Sequence, residues 1–124
     1  MRVIPDRIEV VCDVDYTLIR PTTKNDRHLS CVEIINPNSG LATYYTVHHQ
    51  HVELLRRYKG RGFYITVWSA NGSAHAESVV KALDLEDVVD EVKTKPFKHI
   101  DDKKDAKDIV GSHVFIPEEG FNVV

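Results

Sequence analysis

A chain of 124 residues has room for one compact domain, since domains cluster near about 100 to 150 residues. Its 42% hydrophobic and 28% charged residues are ordinary for a water-soluble domain, and a formal charge of -3 is too small to demand a nucleic-acid or membrane partner. No apolar run approaches the ~18 residues needed to cross a bilayer, and charge enters at Arg2, so the expectation is a cytoplasmic protein with no membrane partner.

Ile8 to Cys12 is short, β-branched and apolar, which predicts a strand buried on both faces of a parallel sheet, and it runs straight into Asp13. Residues 29 to 47 read as a hairpin: Leu29 to Ile35 and Leu41 to Val47 are strand-like, and Asn36-Pro37-Asn38-Ser39-Gly40 between them is a cluster of turn formers. The two cysteines, Cys12 and Cys31, fall in different strands, and no disulfide is expected.

From His48 to Lys59, Val52, Leu55 and Tyr58 recur at helical spacing, Leu54 widens the stripe, and Gly60 and Gly62 end it, which predicts a helix of about three turns. Phe63 to Trp68 predicts a strand that stops at Ser69, followed by a polar turn and a second helix to about Leu83. Val88, Val89 and Val92 predict a third strand, Phe97 to Ile100 a fourth ending at Asp101-Asp102, and His113 to Ile116 a fifth. Strands alternating with helices predict one α/β domain spanning residues 1–124, with a mostly parallel five-stranded sheet and a small hairpin flap.

Open parallel sheets bind ligands at the carboxyl ends of their strands, and polar or acidic residues follow several of these apolar runs: Asp13 and Asp15, Ser69, and Asp101 with Asp102. Two desolvated carboxylates one residue apart repel each other, and a divalent cation is the natural means of keeping both ionised. An all-oxygen donor set fits Mg2+ best. An aspartate beside such a cation can attack phosphorus and form an acyl phosphate while a neighbouring carboxyl moves protons.

The run Val10-Val11-Cys12-Asp13-Val14-Asp15-Tyr16-Thr17-Leu18 resembles the first signature of the haloacid dehalogenase superfamily, a hydrophobic strand followed by Asp-x-Asp-x-Thr. Ile65-Thr66-Val67-Trp68-Ser69 is similar to the second, Lys95-Pro96 to the third, and Ile100-Asp101-Asp102 to the acidic fourth, all in the family's order. The resemblance implies a Rossmann-like three-layer fold and a magnesium-dependent phosphatase working through an aspartyl-phosphate. It makes Asp13 the nucleophile, Asp15 the general acid/base, Ser69 with the Ala70 amide and Lys95 the phosphate-binding groups, and Asp13, Asp15, Asp101 and Asp102 the metal-binding residues. Only five residues separate Lys95 from Asp101, where the family usually places a helix, so Lys93 and Lys98 stand as alternatives to Lys95.

The interval between the first two signatures holds the hairpin and one helix and has no room for a large helical cap, which implies an open site, bulky substrates, or cover by oligomerisation. The substrate is a phosphorylated compound of unspecified class. Nucleotide or nucleic-acid ends are the narrower variant, because Arg56, Arg57, Lys59 and Arg61 form a basic cluster whose blander role is to complement a helix C-terminus. His48, His49 and His51 lack an evident fourth ligand for zinc and are expected to face solvent at a helix start. Of Tyr44 and Tyr45, which point to opposite sides of the hairpin, one is expected at the substrate. A catalytically idle phosphate-binding relative is the alternative reading. A receiver domain is disfavoured because no aspartate occurs between Asp26 and Asp84, where its acceptor would fall.

Overall fold

The computed structural model describes residues 8–26, 29–102, 104, 116 and 121. In chain order these form β1 (Glu9–Asp13), β2 (Ile19–Pro21), a short 3-10 turn (Lys24–Asp26), β3 (Cys31–Ile35), β4 (Ala42–Val47), α1 (His49–Gly60), β5 (Tyr64–Ser69), α2 (Ser73–Ala82) and β6 (Glu91–Thr94). The result is a small α/β domain with two three-stranded sheets, one parallel in the order β1-β5-β6 and one antiparallel in the order β2-β4-β3. Among the described residues, no helix is long and apolar enough to cross a membrane.

β5 is the central strand of the parallel sheet, and its Ile65, Thr66 and Val67 are fully buried. Burial on both faces thus belongs to β5. At β1, an edge of the described sheet, Val10 and Cys12 pack against the core while Val11 stays 41% exposed. Leu55 of α1 and Ala76, Val79 and Val80 of α2 join Ile65 and Val67 in one apolar cluster with Val14, Leu18, Ile19 and Ile34.

The predicted hairpin is present as β3 and β4, paired from Cys31 with Thr46 to Ile35 with Ala42. Its turn is closed by the Asn36 side chain, whose Oδ1 accepts from the amides of Asn38 at 2.8 Å and Ser39 at 3.2 Å, while Gly40 takes φ 74°. The flap also carries β2, a third strand that pairs with β4 and ends on Pro21, whose missing N–H suits an edge strand.

A buried polar network ties this flap together. Asp26, 2% exposed, accepts from the Thr23 amide at 2.9 Å and the Thr46 hydroxyl at 3.1 Å, and pairs with the Arg20 guanidinium at 2.8 Å. The backbone hydrogen bond from Thr23 leads the causes that hold its carboxyl below the usual carboxylate range, with Thr46 and Arg20 adding to it against the cost of burial. Arg20 also lies 4.9 Å over the ring of Phe121, which is buried and packs edge-on against His48.

Three expectations are corrected. The third strand is Glu91–Thr94, while Val88 sits in the turn before it, its amide donating to Leu85 O. Residues 97–100 form no strand: Pro96 removes an amide donor just after β6, and Phe97 and Ile100 are 93% and 98% exposed. The described parallel sheet therefore has three strands and not five, and residues 113–115 of the expected fifth strand lie outside the described residues.

Candidate active site

Parallel pairing brings three chain segments to one edge of the sheet. Asp13 is in register with Trp68, and Ser69 with Thr94, so the loops that leave β1, β5 and β6 emerge side by side at their carboxyl ends. The Lys95 amide donates to Ser69 O at 2.9 Å and keeps the third segment against the second.

The loop after β1 is a tight knot around the fully buried Val14, whose carbonyl accepts from the amides of Thr17, Leu18 and Ile19 at 3.2, 2.8 and 3.3 Å. Tyr16 turns the chain with φ 62°, and its amide donates to Ile19 O at 2.7 Å. A tyrosine in this left-handed region costs roughly 1 kcal/mol that a glycine would not.

Asp15 is the hub. Its Oδ2 accepts from the Ser69 hydroxyl at 3.2 Å and from the Asn71 amide group at 2.9 Å, and its Oδ1 meets His75 Nε2 at 3.1 Å. The Asn71 backbone amide in turn donates to Ser69 Oγ at 3.0 Å, so the serine hydroxyl is aimed by one neighbour and points at the carboxylate. His75 is 5% exposed on the first turn of α2, and that turn is fixed to β6 by the Ser73 amide donating to Thr94 Oγ1 at 2.9 Å. Gly72, with φ 108°, caps the start of α2 directly after the Ser69–Asn71 segment, so the positive end of the helix dipole lies in this part of the chain.

Asp13 is the opposite case. It is half-buried, and among the described residues no donor reaches its carboxylate. Its charge is felt next door: burial first, and the Asp13 carboxylate second, push the Cys12 thiol up to about 12.

Of the three candidate lysines, Lys93 lies 5.3 Å from the centroid of the Trp68 ring and Lys98 5.7 Å from that of Phe97, whereas Lys95 is exposed at the chain's exit from β6 beside Ser69. Asp101 and Asp102 are exposed in the irregular segment beyond, where Asp101 Oδ2 meets His99 Nε2 at 3.2 Å. Among the described residues no three His, Cys, Asp or Glu side chains converge to hold a metal ion. Mg2+ keeps several waters and is commonly bound through one or two carboxylates, so a donor-free Asp13 fits it, while both oxygens of Asp15 are already engaged by protein donors.

Two of the histidines at the start of α1, His48 and His51, have structural roles. His48 is buried and not solvent-facing, its Nδ1 accepts from the His51 amide at 3.2 Å, and the two rings stack at 3.8 Å. His51 Nδ1 is 2.7 Å from Thr17 O, which pins the loop after β1 to the helix. The basic cluster is largely committed as well: Arg56 donates to Asp84 O at 3.1 Å, Arg57 lies 3.7 Å from Glu53, and Lys59 pairs with Asp90 at 2.6 Å.

From the flap, Tyr45 places its ring centroid 6.4 Å from that of His75, while Tyr44 is exposed and its hydroxyl pKa is raised by a hydrogen bond to Glu33. A cavity of about 250 Å³ lies between Glu77, Lys81 and Glu91, and none of its lining residues belongs to the site. Asn71 and His75 are absent from the residues expected at the site, and His51, expected to face solvent, meets Thr17 O instead. The spacing Ser69-x-Asn71-x-x-x-His75 holds the signal for the first two, because it returns a first-turn helix residue to the end of the preceding strand. No protein-family model matches the chain, and no curated protein matches it.

Proposed function

We propose that the chain is a magnesium-dependent phosphomonoester hydrolase of the haloacid dehalogenase type. The observation that carries this reading is the contrast between two carboxylates one residue apart at the sheet edge: Asp15 held by Ser69, Asn71 and His75, and Asp13 with no donor from the described residues. A nucleophile needs a free lone pair and a proton carrier needs a fixed orientation, and the two aspartates divide along that line.

In the first step an Asp13 carboxylate oxygen attacks phosphorus, the bond from phosphorus to the ester oxygen breaks, and protonated Asp15 gives its proton to the leaving oxygen. In the second, Asp15 takes a proton from water as that water attacks the same phosphorus, the Asp13–phosphate bond breaks, and inorganic phosphate leaves. Ser69, the Ala70 amide and Lys95 bind the phosphoryl oxygens, for which the Ser69 hydroxyl turns from Asp15 to the substrate. Magnesium would be held by Asp13 with Asp101 or Asp102, and when bound it neutralises charge on those oxygens.

The test is release of inorganic phosphate from a panel of phosphomonoesters, with and without magnesium, comparing the wild-type chain with Asp13→Asn. Loss of turnover by at least about a thousandfold is expected, as for removal of a nucleophile. Turnover surviving in Asp13→Asn sinks the mechanism, and a null result with every metal and ester favours a phosphate-binding protein.

A further inference from the structure

We propose that Tyr16 is a stacking platform for the leaving group, so that the site prefers phosphomonoesters whose alcohol carries an aromatic ring. This deepens the phosphatase reading and rests on it. Tyr16 follows Asp15 directly, its backbone is held at φ 62°, and its side chain is 69% exposed. Among the described residues its side chain has no hydrogen bond, ion pair or ring contact. A glycine would make the same turn without strain, and Tyr16's own amide supplies the bond to Ile19 that closes it. The phenol ring is thus largely free of the described fold, and it belongs to the residue that directly follows the acid/base carboxylate at the end of β1.

A second aromatic approaches the same carboxylate from the flap. The Tyr45 ring lies against His75, whose Nε2 holds Asp15 Oδ1 at 3.1 Å. Asp15 is thus flanked by a tyrosine along the chain and by another through its histidine, at a sheet edge over which the described residues place no large helical cap. A planar ring stacked on one exposed tyrosine gains about tenfold in affinity. Phenyl and nucleobase leaving groups share that flat π face.

The probes are methylphosphonate, benzylphosphonate and a nucleoside phosphonate, which resist hydrolysis, titrated calorimetrically into the full chain with magnesium. At least one ring-bearing probe is expected to bind about tenfold more tightly than methylphosphonate, and the two rings distinguish phenyl from nucleobase recognition. Tyr16→Phe should keep the preference, and Tyr16→Gly, which suits the backbone, should collapse the ratio towards one. Equal affinity for all three probes, binding by none of them, or a preference that survives Tyr16→Gly overturns the proposal. Because binding is read without turnover, hydrolysis that survives in Asp13→Asn would refute the mechanism and leave this result standing on its own.

Discussion

Replacing Asp15 by asparagine and by alanine separates its chemical role from its structural one. In Asp15→Asn the remaining oxygen can still accept from Ser69 and Asn71, and the new NH2 can donate to His75 Nε2 once the ring proton sits on Nδ1. All three contacts survive, so the stability change should stay within about 1 kcal/mol, or roughly 4 °C in Tm for a chain of this size. The amide cannot carry the proton, and turnover should fall by about 10² to 10⁴. Asp15→Ala removes the acceptor from beneath two buried donors, Ser69 and His75, each worth about 1 to 3 kcal/mol when left unpaired. A loss near 3 kcal/mol, or about 12 °C, follows. Phosphate release and thermal denaturation measured on both variants decide the matter. The reasoning fails if Asp15→Asn keeps more than about a tenth of the activity, since general acid/base catalysis is worth at least 10²-fold, or if it melts as early as Asp15→Ala.

Two further outcomes follow from the ionisable groups. Asp26 has a depressed pKa in the folded protein, so its contribution is fully present above the unfolded value of about 3.9 and is lost as pH falls through the folded value. Urea midpoints of wild type and Asp26→Asn should therefore differ most near neutral pH and converge below about pH 4, and a gap that widens in acid would contradict the network. Cys12, with its thiol near 12, has a thiolate fraction of about 10⁻⁴ at pH 8 and should resist alkylation in the folded chain while exposed Cys31 reacts. Mass spectrometry should show one adduct on the native protein and two in denaturant, and rapid double labelling of the native chain would refute the assignment.

Much of the site was legible where chemistry follows a strand immediately in sequence. Asp13, Asp15 and Ser69 stand out because apolar β-branched runs end on them, and strand ends in a parallel sheet share an edge. His75 was not legible, because a histidine in the first turn of a helix looks the same whether it faces solvent or the end of the preceding strand. His48 misled in the other direction: three nearby histidines suggested an exposed cluster, whereas stacking and a capping bond to His51 give His48 a buried structural role. β2 escaped notice because three residues ending in proline show no alternation, and its place is set by pairing with β4. The apolar character of residues 97–100 promised a strand that Pro96 and the lack of a burying partner do not support.

The three donors that surround Asp15 come from a single stretch of seven residues, 69 to 75, which runs from the end of one strand through a turn into one helix. The aromatic ring that approaches from the other sheet belongs to a flap with its own buried network around Asp26. The flap meets the Asp15 side of the domain where Tyr45 approaches His75 and where Ile34 of the hairpin joins Ala76, Val79 and Val80 of α2 in one apolar cluster. A change in the hairpin between residues 31 and 47 is therefore felt by the helix that carries His75, through the buried Ile34 as well as through the Tyr45 ring.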